Sequence, residues 1–80
     1  MKTAEMLDKL ASEYKRCHHV YASIEKQAQM FLEKGDMAAY QRMTARAANR
    51  AATLTGIKRA AVAIGIKETA LLTAAGFETA

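Results

Sequence analysis

The sequence predicts an all-α fold: a long antiparallel helical hairpin, over about residues 3–33 and 37–55, capped by two short C-terminal helices at about 57–64 and 67–75. Three observations predict it. Apolar residues recur at alternating steps of three and four through two long segments, the spacing that lines one face of a helix. No stretch of useful length alternates as a half-buried strand does. Proline is absent and glycine occurs only at positions 35, 56, 65 and 76. There it supplies the left-handed conformation that ends helices and divides the chain.

The first segment carries Leu7, Leu10, Tyr14, Cys17, Tyr21, Ile24, Ala28 and Phe31 on one seam, and the second carries Met37, Tyr40, Thr44, Ala47, Ala51 and Leu54. Such seams pack as coiled coils do. Between them, "EKGDM" places Gly35 at a helix C-cap and Asp36 at the next N-cap. A connection this short forces the helices antiparallel. Counting back from Gly35 pairs Phe31 with Met37, Ala28 with Tyr40, Tyr21 with Ala47 and Cys17 with Ala51. Large side chains then meet small ones, which allows close approach without overpacking. At ~1.5 Å per residue the two helices would be about 46 Å and 28 Å long, leaving Leu7 to Tyr14 without a partner in the hairpin. The short helices, with Ile57, Ala61, Ile64, Ile66, Leu71 and Leu72, are expected to cover that part.

Eighty residues make a single helical domain, 1–80, near the lower size at which one core holds a fold without staples. Much of the apolar content is alanine, which raises helix propensity and adds little buried area. A core this thin makes a homodimer a fair expectation. The charged start, "MKTAEMLDKLASEYKRC", is unlike a signal peptide. No run approaches the ~20 apolar residues of a membrane span. A cytoplasmic protein without membrane partners is expected.

The "CHH" run at 17–19 offers zinc-binding residue types. Consecutive helical positions point about 100° apart, whereas helical ligands sit at i and i+3 or i+4. Neither His18 nor His19 has another histidine or cysteine at that distance, so no metal or other cofactor is expected. Cys17 reads as core, His18 as bordering the seam and His19 as facing solvent. A cysteine nucleophile needs a base and a polar, partly exposed setting, which a seam position denies. The acids of the first segment (Glu5, Asp8, Glu13, Glu25, Glu33) alternate with lysines as on a solvated face. No glycine-rich phosphate loop stands between a strand and a helix. The chain is not expected to be an enzyme.

Charge is distributed unevenly. Acids and bases nearly cancel up to Gly35, but from Met37 to Lys67 there are six bases and no acid. Arg42, Arg46 and Arg50 recur every four residues, with Asn49 and Thr53 on the same face, opposite the seam of the second helix. Arginines without acidic partners suit phosphates or an acidic protein surface. These five residues, with Lys58, Arg59 and Lys67, are the candidate partner-binding set. The partner expected is nucleic acid or an acidic surface of a nucleic-acid-handling protein.

Residues 57–76, within "GIKRAAVAIGIKETALLTAAGF", resemble the helix-turn-helix unit of DNA-binding regulators. Ala61 stands where that motif places a small residue at the helix crossing, and Gly65 stands at its turn. Ile66, Leu71 and Ala74 match the positions that seat the second helix on the first. The outward face would present Lys67, Glu68, Thr69, Leu72 and Thr73, with no arginine, glutamine or asparagine to read base edges. Two functions follow as expectations. One is a small non-enzymatic binding protein, an adaptor or inhibitor that docks a basic helix face on nucleic acid or a nucleic-acid-handling complex. Its size and charge are also compatible with the small inhibitors that mobile elements aim at host nucleoproteins, anti-CRISPR proteins among them. The other is a small helix-turn-helix regulator.

Overall fold

A computed structural model describes residues 2–77. Three helices follow one another: α1 (Lys2–Lys34), α2 (Met37–Ala63) and α3 (Glu68–Ala74). The first two form the antiparallel hairpin, and α3 folds back on its open end, giving a rod of 51 × 20 × 19 Å.

Three glycines do the work expected of them. Gly35, Gly65 and Gly76 have φ of 79°, 88° and 91°. Each closes a helix in the same way. The amide of the following residue donates to the carbonyl five positions back: Asp36 to Phe31 at 2.9 Å, Ile66 to Ala61 at 2.9 Å, and Phe77 to Leu72 at 2.9 Å. This is the Schellman closure, which satisfies carbonyls that the helix end leaves open. Asp36 then starts α2, its Oδ1 accepting from the Ala39 amide at 3.1 Å.

Gly56 behaves differently, and here the expected architecture is corrected. The segment expected as a separate helix at 57–64 is the continuation of α2, which runs unbroken through Gly56 to Ala63. One short capping helix remains where two were expected. The reason is energetic: an interior glycine costs only about 1 kcal/mol relative to alanine, while continuation buries Ala61 and half-buries Ile57. The longer α2 also supplies the partner that the N-terminal part of α1 lacked. A Cβ added at Gly56 would meet nothing within 4 Å. Gly56→Ala should therefore raise stability by about 0.5–1 kcal/mol. Gly65→Ala, forced to keep a left-handed φ, should lower it by about 1–2 kcal/mol. Urea titrations that moved both midpoints in the same direction would contradict this assignment.

The α1 seam is as expected, with Tyr14, Cys17, Ile24 and Ala28 buried and Leu7, Leu10, Tyr21 and Phe31 half-buried. Ala11 joins it. On α2 the seam starts out of phase with the expectation. Met37 and Thr44 are exposed, and Ala39, Tyr40 and Met43 take the inward positions before Ala47, Ala51 and Leu54. Near Cys17 the register lies within one residue of the expectation. The Cys17 thiol donates to the Arg50 carbonyl at 3.6 Å, and Tyr21, Ala28, Tyr40, Ala47 and Ala51 line one flank of the helix pair. On that flank the Tyr21 hydroxyl donates to Glu25 Oε2 at 2.9 Å. This bond raises the phenol above its ordinary pKa.

The main core lies at the open end, where Ala11, Tyr14, Cys17, Leu54, Ala61, Ile66, Leu71 and Ala75 close together. Phe77 seals it, edge-on to Tyr14 at 5.6 Å and to His18 at 4.5 Å. None of the described helices is long and apolar enough to cross a membrane.

Candidate functional site

The arginine row does not lie opposite the seam. Four residues of helix advance 400°, so residues spaced by four drift about 40° per step around the axis. Arg42 is exposed and does not line the space between the helices, while Arg46 and Arg50 have rotated to the edge of the interface. There, with Asn49 and Thr53, they form one wall of a groove of about 640 Å³ between the two helices. The other wall comes from α1: His19, Val20, Ser23, Ile24 and Gln27. On α1 the same drift brings residues 19, 23 and 27 progressively toward the interface.

The antiparallel register lays residues 19–27 of α1 alongside residues 46–53 of α2 in this groove, and Arg42 is not among its lining residues. Sequence reasoning missed the α1 wall. Ser23 and Gln27 carry no signal on their own helix, and His19 was read only as solvent-facing. The pairing counted back from Gly35 would have found all three, since it already placed this part of α1 beside residues 42–50.

No acidic side chain among the described residues lines the groove. Among the described residues the one ion pair is Lys58–Glu68, at 3.3 Å, so the guanidinium groups of Arg42, Arg46 and Arg50 are not neutralised by neighbouring carboxylates. All three are exposed. The Thr53 hydroxyl donates to the Asn49 carbonyl at 3.2 Å, which leaves its lone pairs free to accept. The wall therefore offers charged donors at Arg46 and Arg50, neutral donors at Asn49, Ser23 and Gln27, and one imidazole.

The remaining basic residues lie elsewhere. Arg59, nine positions beyond Arg50, points to the opposite side of α2 beside Val62 and Glu68. Lys67 is exposed at the start of α3. Lys58 is engaged internally: its Nζ bonds Glu68 and lies 5.8 Å from the centre of the Tyr14 ring. The hydrogen bond to Glu68 holds this ammonium above the ordinary lysine pKa, while burial pulls the other way. A pKa raised in the folded state means that the pair's contribution is complete below the unfolded lysine value, ~10.4. It is lost as pH rises through the folded value. With side chains 35% and 54% exposed, the pair is worth less than about 1 kcal/mol. Wild-type protein should therefore lose slightly more stability than Glu68→Gln as pH is raised past ~10.4. Parallel losses in thermal melts would show that the pair does not tether α3.

The helix-turn-helix segment is partly as expected. Ala61 is fully buried, Gly65 turns the chain, and Ile66 and Leu71 are buried. Ala74, expected inside, is exposed, and Ala75 takes the buried position. Leu72, expected on the outward face, is half-buried against the core. With Glu68 turned to Lys58, the outward face of α3 keeps Lys67, Thr69, Ala70 and Thr73. The helix has only seven residues.

Cys17 is buried, with its thiol directed at a backbone carbonyl. Among the described residues no three His, Cys, Asp or Glu side chains come together as metal ligands would. No family model matches the chain, and neither a curated protein nor a solved structure matches it.

Proposed function

We propose that this protein is a non-enzymatic helical binding protein, an adaptor or inhibitor, that docks the groove face of its hairpin on the phosphates of nucleic acid. One observation carries the reading. Two helices contribute hydrogen-bond donors to a single groove, and among the described residues no carboxylate lines it and none pairs with the arginines on its α2 wall. Arginine forks match phosphate geometry and stay charged at any working pH. The buried position of Cys17, its thiol donating to a backbone carbonyl, favours binding over catalysis.

A cytoplasmic location fits a nucleic-acid target. A homodimer fits the exposure of Met30, Leu32 and Met37 around the Gly35 turn. A role as a mobile-element inhibitor of a host nucleoprotein is compatible with the same groove. The helix-turn-helix reading draws support from the burial of Ala61, Ile66 and Leu71. The few polar groups on the outward face of α3 weigh against it.

Fluorescence anisotropy of labelled nucleic acid, titrated with protein over a salt series, tests the proposal. Affinity should fall linearly on logarithmic axes, by about 0.7–0.9 per phosphate neutralised. Affinity insensitive to salt, or no binding at low salt, would overturn it. A pull-down from native lysate with and without nuclease then reports whether a protein is held through the nucleic acid or directly.

A further inference from the structure

We infer that the groove is the seat of one nucleic-acid strand, laid along the hairpin so that both walls grip its phosphates. This rests on the proposed nucleic-acid function and specifies the form of the ligand. Residues four apart on a helix rise about 6 Å, close to the separation of successive phosphates along a strand. The α2 wall repeats at that interval through Arg46 and Arg50, and the α1 wall repeats through His19, Ser23 and Gln27. Because the groove is lined from both helices, the two rows run along it side by side, Arg46 and Arg50 from α2 and His19, Ser23 and Gln27 from α1. A strand laid between them meets guanidinium groups from one side and neutral or imidazole donors from the other.

The straightness of the site selects a single strand. Packed helices lie about 8–10 Å apart, too narrow to admit a duplex. The backbone of a duplex also winds away from a straight track. Resting across the hairpin, a duplex would load the exposed arginine row and leave the α1 wall unused. A flexible strand can straighten and fill both rows. Strand-binding grooves that recognise bases present aromatic platforms. His19 is the one ring among the residues lining this groove, so the grip is on the backbone and tolerant of sequence.

The test uses a fluorescein-labelled oligothymidylate, a mixed-sequence strand of the same length, and the corresponding duplex. Ser23→Glu and Gln27→Glu place a carboxylate on the α1 wall at exposed positions, and circular dichroism checks that they fold. Wild-type protein should bind both strands alike and more tightly than the duplex. Each variant should weaken strand binding by about tenfold, the scale of one hydrogen bond to a charged group turned unfavourable. Duplex binding should change much less. If the duplex binds as well as the strand and the α1 variants leave both unchanged, the inference falls while the phosphate-binding function stands. If neither nucleic acid binds at low salt, both fall. Displacement of the strand by poly-glutamate at equal charge as efficiently as by unlabelled strand would also overturn it, because the groove would then be reading an acidic protein surface.

Discussion

Leu71→Ala is expected to destabilise the protein by about 2–5 kcal/mol, the range for removing a fully buried leucine side chain. Leu71 is 0% exposed, the largest side chain so enclosed among the described residues. An 80-residue domain has a total stability of only about 4–12 kcal/mol. The loss is therefore a large share of what holds the fold. It also falls on the element least able to survive alone. A seven-residue helix is far below the length at which isolated helices persist, so α3 exists because Leu71, Ile66 and Ala75 are inserted between α1 and α2. Undocking it would open the space around Tyr14 and release Phe77. A urea titration followed by circular dichroism reads the loss, and tyrosine fluorescence of a Tyr21→Phe, Tyr40→Phe background reports separately on the Tyr14 environment. Val62→Ala is the control: Val62 is 58% exposed and should change stability by no more than about 0.5 kcal/mol. A Leu71→Ala midpoint equal to that of Val62→Ala would mean that α3 is not docked in solution.

The elements most legible in the sequence were those whose signal is repeated. The α1 seam recurs over many turns, so a single ambiguous residue does not shift its phase, and Gly35 with Asp36 gave a turn whose chemistry has few alternatives. On α2 Ala39, Ala47, Ala51 and Ala61 make up about half of the inward residues, and the solvent face is alanine-rich as well. The pattern therefore had little contrast, and Met37 and Thr44 were placed inside on spacing alone. At Gly56 a local preference of about 1 kcal/mol met tertiary burial and lost. At Gly35, Gly65 and Gly76 the preference and the packing agree. The same contrast applies to the candidate site. The arginines were visible because charge is conspicuous in a sequence, but their direction depends on the rotation of an i+4 row around the helix. Their neighbours His19, Ser23 and Gln27 become meaningful only when the two helices are laid side by side. Leu72 turned inward because the Schellman closure at Gly76 joins its carbonyl to the Phe77 amide, drawing both residues toward the core.

The simultaneous replacement of Arg42, Arg46 and Arg50 by alanine is expected to abolish measurable nucleic-acid binding at physiological salt while leaving the fold intact. All three side chains are exposed and make no ion pair within the described structure. Their removal costs no buried contact, and alanine has the higher helix propensity. The effect on binding should be large because each arginine that meets a phosphate contributes through counterion release. Two such contacts, from Arg46 and Arg50, give a slope of log affinity against log salt near −1.4 for a single strand in the groove, and three give about −2.7 for a duplex on the exposed row, at ~0.7 or ~0.9 per phosphate. A single replacement should flatten that slope by about one contact on every sequence tested. Arg46 and Arg50, which line the groove, should each matter more for a strand than Arg42, which lies farther round the helix. Thr69→Ala and Thr73→Ala should do little, since α3 lies apart from the groove. If α3 instead reads a major groove, the pattern reverses: the threonine changes would alter preference among sequences by ~1–3 kcal/mol per lost base contact, and the arginine changes would weaken all sequences equally. A protein target gives a third pattern, in which arginine loss leaves naked nucleic-acid binding unchanged and weakens a nuclease-resistant pull-down. Full binding by the folded triple variant, in both assays, would remove the arginine row from the function altogether.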